Sequence, residues 1–169
     1  LDKSINFKFQ ELKEGLKHQN DLDLIESYDI SHLSGKNAVA GCVVYSTQGK
    51  ALNLYRSYNI SKSNWGNDVG SMSEVIERRF SDVNSRKVPS LVIIDGGKVQ
   101  LKSVLKALKN CNIFDTDVIS ISKGIRRKAT FDTIHLSSGE SITVDESSIF
   151  HQFVQEIRNE THRYAITIL

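Results

Sequence analysis

The stretch LIESYDISHLSGKNAVAG, residues 24–41, is the part of the sequence around which we arrange the other predicted elements. Its first part reads as a strand near whose end Asp29 presents a carboxylate. A polar segment over residues 31–35 and a second β-rich run follow. Because a carboxylate at the end of a strand can hold a metal ion, Asp29 is the first candidate site residue.

Hydrophobic periodicity predicts the other elements on either side of this stretch. Strands over residues 24–30, 37–46 and 51–60 form an antiparallel meander, with a hairpin turn at residues 47–50. Helices and strands then alternate to the end of the chain. The remaining predicted elements are a helix over residues 7–17, a helix over 71–80, a strand over 91–95, a helix with apolar side chains at 101, 104, 105 and 108, a strand over 118–122, a hairpin over 133–136 and 141–144, and a helix from about 147 to about 165.

This order of elements predicts an α/β fold of the ribonuclease H-like class, with a mixed five-stranded sheet, helices on both faces and a small hairpin insertion. We expect residues 1–169 to form a single domain, in which residues 1–20 are a helical lead-in. A chain of 169 residues is long enough to bury a core without a disulfide or a structural metal ion.

Composition narrows the class of protein. Hydrophobic residues make up 39% of the chain and charged residues 25%, and no apolar run reaches the roughly 20 residues of a membrane span. The polar start, LDKSINFKFQ, is unlike a signal peptide, and its lack of an initiator Met favours a fragment of a longer multidomain protein. The chain has only two cysteines, Cys42 and Cys111, and no CxxC spacing, which favours a reducing compartment and a cytoplasmic protein.

Asp95 is the second candidate site residue. It closes the apolar run over residues 91–94 and is followed by Gly96 and Gly97. Its carboxylate should therefore emerge at the carboxyl end of a buried strand, where open α/β sheets bind ligands. Two simpler interpretations stay open, because Asp95 can cap the next helix and Asp29 can form a local Asx-turn. The sequence GGK is a weak match to a phosphate loop, since it lacks the full spacing.

His162 lies on the last predicted helix, beside Arg158 and Asn159 on a polar face. A single histidine on a helix is more often an ordinary surface residue than a ligand. Two aspartates and one neutral imidazole nevertheless suit Mg²⁺ or Mn²⁺, ions that prefer oxygen ligands. His162 can equally act as a general base on water.

The charge of the chain is nearly balanced. A formal net charge of +2 is too small to indicate nucleic-acid binding by itself. Basic residues do cluster at positions 78–79, 86–87 and 126–128, near polar segments that read as loops. Such clusters are as often solvated surface as binding sites.

Three blocks together resemble the C-terminal endonuclease domain of UvrC, the incision subunit of bacterial nucleotide excision repair. They are YDISHLSG around Asp29, LVIIDGGKVQL around Asp95 and IRNETHRYAI around His162. The segments RSYNI, residues 68–80 and SKGIRR lie between them, in the order that this family has. The resemblance runs from Leu24 nearly to the end of the chain, and several blocks in order are far more specific than any single motif.

The resemblance implies a ribonuclease H-like endonuclease with an Asp, Asp, His triad and a divalent metal ion, Mg²⁺ or Mn²⁺. The triad falls on Asp29, Asp95 and His162, as catalytic and metal-binding residues, and a further acid of the family falls on Asp68. The implied partners of this monomeric domain are damaged double-stranded DNA, cut on the 5′ side of a lesion, and the complex that UvrB forms with DNA before incision. Contacts to DNA phosphates are then expected from Lys98, Arg126, Arg127 and Lys128.

The departures from the family pattern, at Val99, Asn159, Thr161 and within residues 67–72, leave the triad intact. Asn159 replaces an acid that can orient the histidine through a second-layer contact, and Val99 can stiffen the turn after Asp95. They favour an alternative function, a catalytically weak DNA-binding or docking module of the same repair complex. A third hypothesis, an ATPase of the sugar-kinase type, requires glycine-rich phosphate loops that the sequence lacks.

Overall fold

The computed structural model describes residues 2–33, 37–82, 86–123, 132–143 and 145–169. The elements are, in chain order, α1 Asp2–Leu16, β1 Leu24–His32, β2 Ala38–Ser46, β3 Gly49–Lys50, β4 Arg56–Asn59, α2 Asp68–Phe80, β5 Leu91–Asp95, α3 Lys98–Asn110, β6 Asp117–Lys123, β7 Asp132–Leu136, β8 Ser141–Thr143 and α4 Ile149–Thr167. Short 3-10 turns occur at Leu52–Leu54 and Lys62–Asn64. Within these ranges, no helix combines the length and the apolar character that a membrane crossing requires.

The described strands form one mixed sheet in the order β3-β2-β1-β5-β6-β7-β8, with β4 also paired to β2. β1 pairs antiparallel with β2 and parallel with β5, and β5 pairs parallel with β6. The predicted mixed sheet is thus confirmed, but the predicted count of five strands is wrong, because the described residues form a sheet of eight strands. The predicted hairpin insertion, β7 and β8, extends the same sheet, since β7 pairs antiparallel with β6.

The third strand of the predicted meander is interrupted. The prediction ran it over residues 51–60, whereas the chain forms β3, a 3-10 turn and then β4. Both short strands pair antiparallel with β2, at different ends of it. The 3-10 turn is followed by Tyr55, whose buried side chain donates a 2.7 Å hydrogen bond to Glu160 of α4. This contact with a distant helix interrupts the strand pattern.

The helices cover both faces of the sheet, as predicted. Side chains along β1 alternate between these faces. Glu26 contacts Arg79 of α2, whereas the Ser27 hydroxyl lies 2.8 Å from the Thr161 hydroxyl of α4. α2 packs with α3 on the first face, and α4 packs with α1 on the second. Asp29 follows Ser27 by two residues, so its side chain points to the α4 face.

Gly41 lets α4 approach the sheet closely. It pairs with Asp29 across β1 and β2, and a Cβ atom at this position would lie 3.1 Å from the Ala165 Cα atom of α4. That distance is shorter than ordinary van der Waals contact, so a larger residue would push the helix away. The close approach places the last turns of α4, including His162, beside Asp29.

A buried ion pair joins β1 to α2. Arg79 donates to both carboxylate oxygens of Glu26, at 3.1 Å from Nε to Oε1 and 2.8 Å from Nη2 to Oε2, and both residues are buried. Tyr28 also donates to Glu26, and Arg79 donates to the Lys87 carbonyl. Such hydrogen bonds are what a charge pair removed from water requires. The pair fixes α2, and with it Asp68 in its first turn, relative to β1.

Candidate active site

Parallel pairing of β1 and β5 brings two of the predicted site residues together. Tyr28 lies opposite Ile94 in this pairing, so Asp29 and Asp95 are the next residues along the two strands. Both line an open cleft of about 260 Å³ at the carboxyl ends of these strands, a position where open α/β sheets bind ligands. The other lining residues are Ile30, Asp68, Met72, Gly96 and Gln100.

Asp29 is the most buried of the three carboxylates in the cleft, with 16% of its side chain exposed. Burial raises the pKa of Asp29 above its ordinary value; a hydrogen bond with His162 lowers that pKa, and the charge of Asp95 raises it. The net effect is unfavourable to the negative charge, which a divalent cation would stabilise. Asp29 lies within β1, paired with Gly41, so the interpretation as a local Asx-turn is wrong.

Asp95 ends β5, and 39% of its side chain is exposed. Gly96 follows with φ = +140°, a conformation that favours glycine. The N-cap position of α3 is occupied by Gly97, whose backbone N–H donates to the Gln100 side chain at 3.1 Å. Asp95 is therefore not the cap of this helix. Its partner is Arg158 of α4, whose Nη2 atom lies 3.4 Å from a carboxylate oxygen.

His162 reaches Asp29 from α4. Its Nδ1 atom lies 2.9 Å from Asp29 Oδ2, and 66% of the side chain is exposed. His162 is not among the residues that line the cleft, so it meets Asp29 at the edge of the site. With Nδ1 bonded to Asp29, Nε2 is the ring nitrogen left for proton transfer or ligation. Asn159, one turn earlier, is exposed and has no hydrogen bond to His162 in the described part of the chain, so Asp29 orients the imidazole.

Asp68 lines the same cleft and pairs with a histidine that the sequence analysis missed. It lies in the first turn of α2, a helix that was predicted to begin only at residue 71. Asn67 caps this helix by accepting a 3.0 Å hydrogen bond from the Gly70 N–H. His32 Nε2, at the end of β1, lies 2.5 Å from Asp68 Oδ1. In the sequence, His32 belongs to the polar segment that was predicted to follow the first strand, but nothing local indicates a partner 36 residues away.

Lys98 is the first residue of α3, and its side chain is exposed. It follows Gly96, which lines the cleft, by two residues. Val99 follows with 65% of its surface exposed, and it lies inside the helix rather than in the turn before it. The other predicted DNA-binding residues, Arg126, Arg127 and Lys128, lie outside the described residues.

The carboxylates of the cleft suit a divalent cation that completes its coordination with waters or with substrate phosphates. Among the described residues, no three His, Cys, Asp or Glu side chains form a ready-made metal cage. Mg²⁺, however, is usually bound by one or two carboxylates together with waters and substrate phosphates. Asp29 and Asp95 supply two such carboxylates in one open cleft. The residues present therefore fit Mg²⁺ or Mn²⁺, which Asp29 and Asp95 would hold.

Curated relatives of this chain share one description. The chain is 37% identical over 163 residues to UvrABC system protein C of Pseudomonas fluorescens SBW25, a match that covers 95% of this chain and 27% of that protein. It is 35% identical over 167 residues to UvrABC system protein C of Legionella pneumophila strain Paris, covering 97% and 27%. The chain thus spans about a quarter of the length of the curated relatives it matches.

Among solved structures, the catalytic domain of human endonuclease V is 13% identical with a TM-score of 0.46, over 83% of this chain and 73% of that chain. These values describe a weak likeness. The match to a protein family is stronger. Residues 13–166 match the family described as the UvrC RNAse H endonuclease domain. That range includes Asp29, Asp95 and His162, and it confirms the predicted resemblance and the ribonuclease H-like fold class. The chain belongs to the UvrC RNase H endonuclease domain family.

Proposed function

We propose that this chain is a divalent-metal-dependent endonuclease that hydrolyses a DNA phosphodiester on the 5′ side of a lesion in bacterial nucleotide excision repair. One observation carries the proposal. Pairing of β1 with β5 sets Asp29 beside Asp95 in an open cleft, and His162 bonds to Asp29 at its edge. Membership of the UvrC RNase H endonuclease domain family supports the reaction class.

The aspartates and the histidine of the triad have different roles in this reaction. Asp29 and Asp95 would bind Mg²⁺ or Mn²⁺ through their carboxylate oxygens. When bound, such an ion lowers the pKa of water and stabilises negative charge on the phosphoryl oxygens. His162 is fixed by its Nδ1 contact with Asp29, which leaves Nε2 to take the proton of the attacking water. Hydrolysis then breaks the bond between phosphorus and the bridging oxygen of the leaving strand, which takes up a proton.

His162 has a second predicted role, as a metal ligand. Because Nδ1 is bonded to Asp29, ligation would use the same Nε2 atom that proton transfer needs. One histidine cannot do both at once. The exposure of the ring and its place at the edge of the cleft favour proton transfer. Asp68 remains the predicted further acid, in the same cleft but bonded to His32.

The proposed substrate is damaged double-stranded DNA presented by UvrB in the bacterial cytoplasm. Support for a multiprotein setting comes from the relatives, which carry the name UvrABC system protein C. Lys98 is exposed beside the cleft, which supports its predicted contact with a phosphate. Such contacts position a strand without reading its sequence. The alternative of an inactive docking module rested on Val99 and Asn159. Both are exposed, and within the described residues neither bonds to the Asp29–His162 pair, so no observation favours it.

A defined duplex tests the proposal. It carries one bulky lesion and a label at the 5′ end of the damaged strand, and it is assembled with UvrB before this protein is added. With Mg²⁺ or Mn²⁺, the labelled product should end on the 5′ side of the lesion, and EDTA should prevent its formation. Asp29→Asn and Asp95→Asn should each abolish cleavage.

The matched control is Asp115→Asn. It alters an exposed aspartate just before β6, at the end of the parallel strands that lies away from the cleft. This variant should cleave at the wild-type rate. Cleavage that persists in Asp29→Asn or Asp95→Asn, or that proceeds in EDTA, would contradict the proposal. A product that ends on the 3′ side of the lesion would contradict the assigned incision side.

A further inference from the structure

Four lysines form a stripe along the exposed face of α3. The helix reads KVQLKSVLKALKN and carries no acidic residue. At about 100° and 1.5 Å per residue, its lysine positions fall within about 80° of one another and span about 16 Å. The members of this α3 lysine stripe, all exposed, are Lys98, Lys102, Lys106 and Lys109.

The lysines of the α3 lysine stripe have no carboxylate partners, unlike several other lysines of this chain. Across the residues that the structure describes, none of its four members forms an ion pair or a hydrogen bond. Glu77 of α2 borders the same groove as Lys106, but the two do not pair. Four other lysines do pair with a Glu or Asp at 2.7 to 3.9 Å: Lys8, Lys13, Lys50 and Lys87.

The stripe begins beside the candidate active site. Lys98 follows Gly96 by two residues, and Gly96 and Gln100 both line the cleft. From there α3 runs back from the carboxyl end of β5 toward the start of β6, which pairs parallel with β5. The opposite side of α3, with Leu101, Val104 and Leu108, is buried in the core. The lysines therefore form a positive path that leads from the cleft along the outside of the molecule.

We propose that the α3 lysine stripe binds the phosphate backbone of DNA on one side of the cleavage point. This inference rests on the proposed function, because it takes DNA as the substrate. Each strand of DNA carries one charge per about 3.4 Å of helix axis, so the stripe matches the phosphates of about five nucleotides. Backbone contacts of this kind would set the direction of the duplex across the cleft without reading its sequence.

The chemistry of the exposed face of α3 favours a nucleic acid over a protein partner. Protein interfaces are depleted in lysine at their centres and rely on aromatic or other apolar anchors. The outer face of α3 offers one large exposed apolar residue, Val99, at its very start. A row of unpaired ammonium groups instead suits a regular row of phosphates, whose counterions are released on binding.

The salt dependence of duplex binding by the 169-residue chain tests this inference. Fluorescence anisotropy with a short labelled duplex, at several NaCl concentrations, gives the slope of log K against log salt. The variant Lys102→Gln/Lys106→Gln/Lys109→Gln leaves Lys98 in place beside the cleft, and glutamine keeps a similar helix propensity. Since each phosphate contact contributes about 0.9 to the slope, we expect the slope of this variant to be less steep than wild type by about 2 to 3.

A matched control removes the same charge elsewhere. The variant Lys17→Gln/Lys50→Gln/Lys87→Gln changes three exposed lysines outside α3 and should keep the wild-type slope. The unfolding temperature should change little in either variant, because exposed substitutions alter stability little and the ion pairs that Lys50 and Lys87 lose in the control are at the surface. A wild-type slope in the α3 variant, or equal changes in the two variants, would overturn the inference. Failure of the proposed function would show separately, as absence of metal-dependent cleavage by the wild-type protein.

Discussion

Asp29 sits in surroundings that oppose its negative charge. Burial raises the pKa of its carboxyl above the ordinary value of 3.8, against the effect of the hydrogen bond with His162 and together with the charge of Asp95. The folded state therefore binds this proton more tightly than the unfolded state does. As the pH rises above 3.8 and through the folded pKa, ionisation of Asp29 lowers the free energy of unfolding. The ionised form of Asp29 therefore lowers the stability of the folded state.

Asp29→Asn should remove this cost. Asparagine has the shape of the protonated carboxyl and keeps an oxygen that can accept a hydrogen bond from His162. Urea unfolding should give equal free energies for variant and wild type below pH 3.8, and a higher value for the variant at neutral pH. A variant that is less stable than wild type at neutral pH would mean that ionised Asp29 makes a net favourable contribution to folding.

His162→Gln should slow cleavage by about 10²- to 10⁴-fold, the usual contribution of a general base. DNA affinity should not change, because the imidazole lies at the edge of the cleft. Asn159→Ala, one turn earlier on the same exposed face of α4, is the matched control and should cleave at the wild-type rate. Unchanged cleavage in His162→Gln would remove the histidine from the reaction, whereas a loss of Mn²⁺ affinity would identify it as a ligand instead.

Asp95 could be predicted as a site residue because it ends an apolar strand, and Asp29 because it lies near the end of a predicted strand; both patterns are visible in a local window of sequence. The side-chain contacts between distant parts of the chain could not be predicted. Examples are the bond between His32 and Asp68, 36 residues apart, and the contact between Arg158 and Asp95, 63 residues apart. Such contacts depend on how strands and helices pack, which local periodicity does not encode.

At the scale of elements, the buried Glu26–Arg79 pair links β1 to α2 and so positions Asp68. Arg79→Leu would leave the Glu26 carboxylate buried without a counter-charge, and we expect a loss of about 3 to 5 kcal/mol in the free energy of unfolding. Urea denaturation measures this loss. Arg78→Leu, which alters the exposed neighbour on the same helix, should cost no more than about 1 kcal/mol.

A double variant separates the pair from its surroundings. Glu26→Leu/Arg79→Leu removes both charges, so its loss should be smaller than the sum of the two single losses. The recovery should be partial, because Tyr28 and the Lys87 carbonyl each lose a hydrogen-bond partner. Additive losses would show that the two charges do not stabilise each other.

Most elements could be predicted because their periodicity is regular: β5 has the predicted bounds, and α3 contains the predicted apolar stripe. The third strand of the meander could not, since Tyr55 bonds to Glu160 of a helix that lies about a hundred residues later. The hairpin of β7 and β8 was recognised as strands, but its membership of the main sheet depends on pairing with β6. Alternation alone gives no partner for a strand.

At the scale of the whole molecule, the sheet separates two functions. Its α4 face presents His162 to Asp29, and its other face presents α3 with the lysine stripe. Both meet at the carboxyl ends of β1 and β5, where the cleft opens. That the chain acts as a single monomeric domain stays a prediction. The chain spans about a quarter of the length of its curated relatives.

Crystals of this chain soaked in Mn²⁺ would show whether the cleft is a metal centre, because Mn²⁺ can be located by its anomalous scattering. We predict an anomalous peak between the Asp29 and Asp95 carboxylates, with His162 nearby, and no such peak in Asp95→Asn crystals soaked in the same way. The measurement needs neither a damaged substrate nor a partner protein. A map without a peak, in which both carboxylates are ordered and open to solvent, would contradict the assignment of Asp29 and Asp95 as the metal ligands.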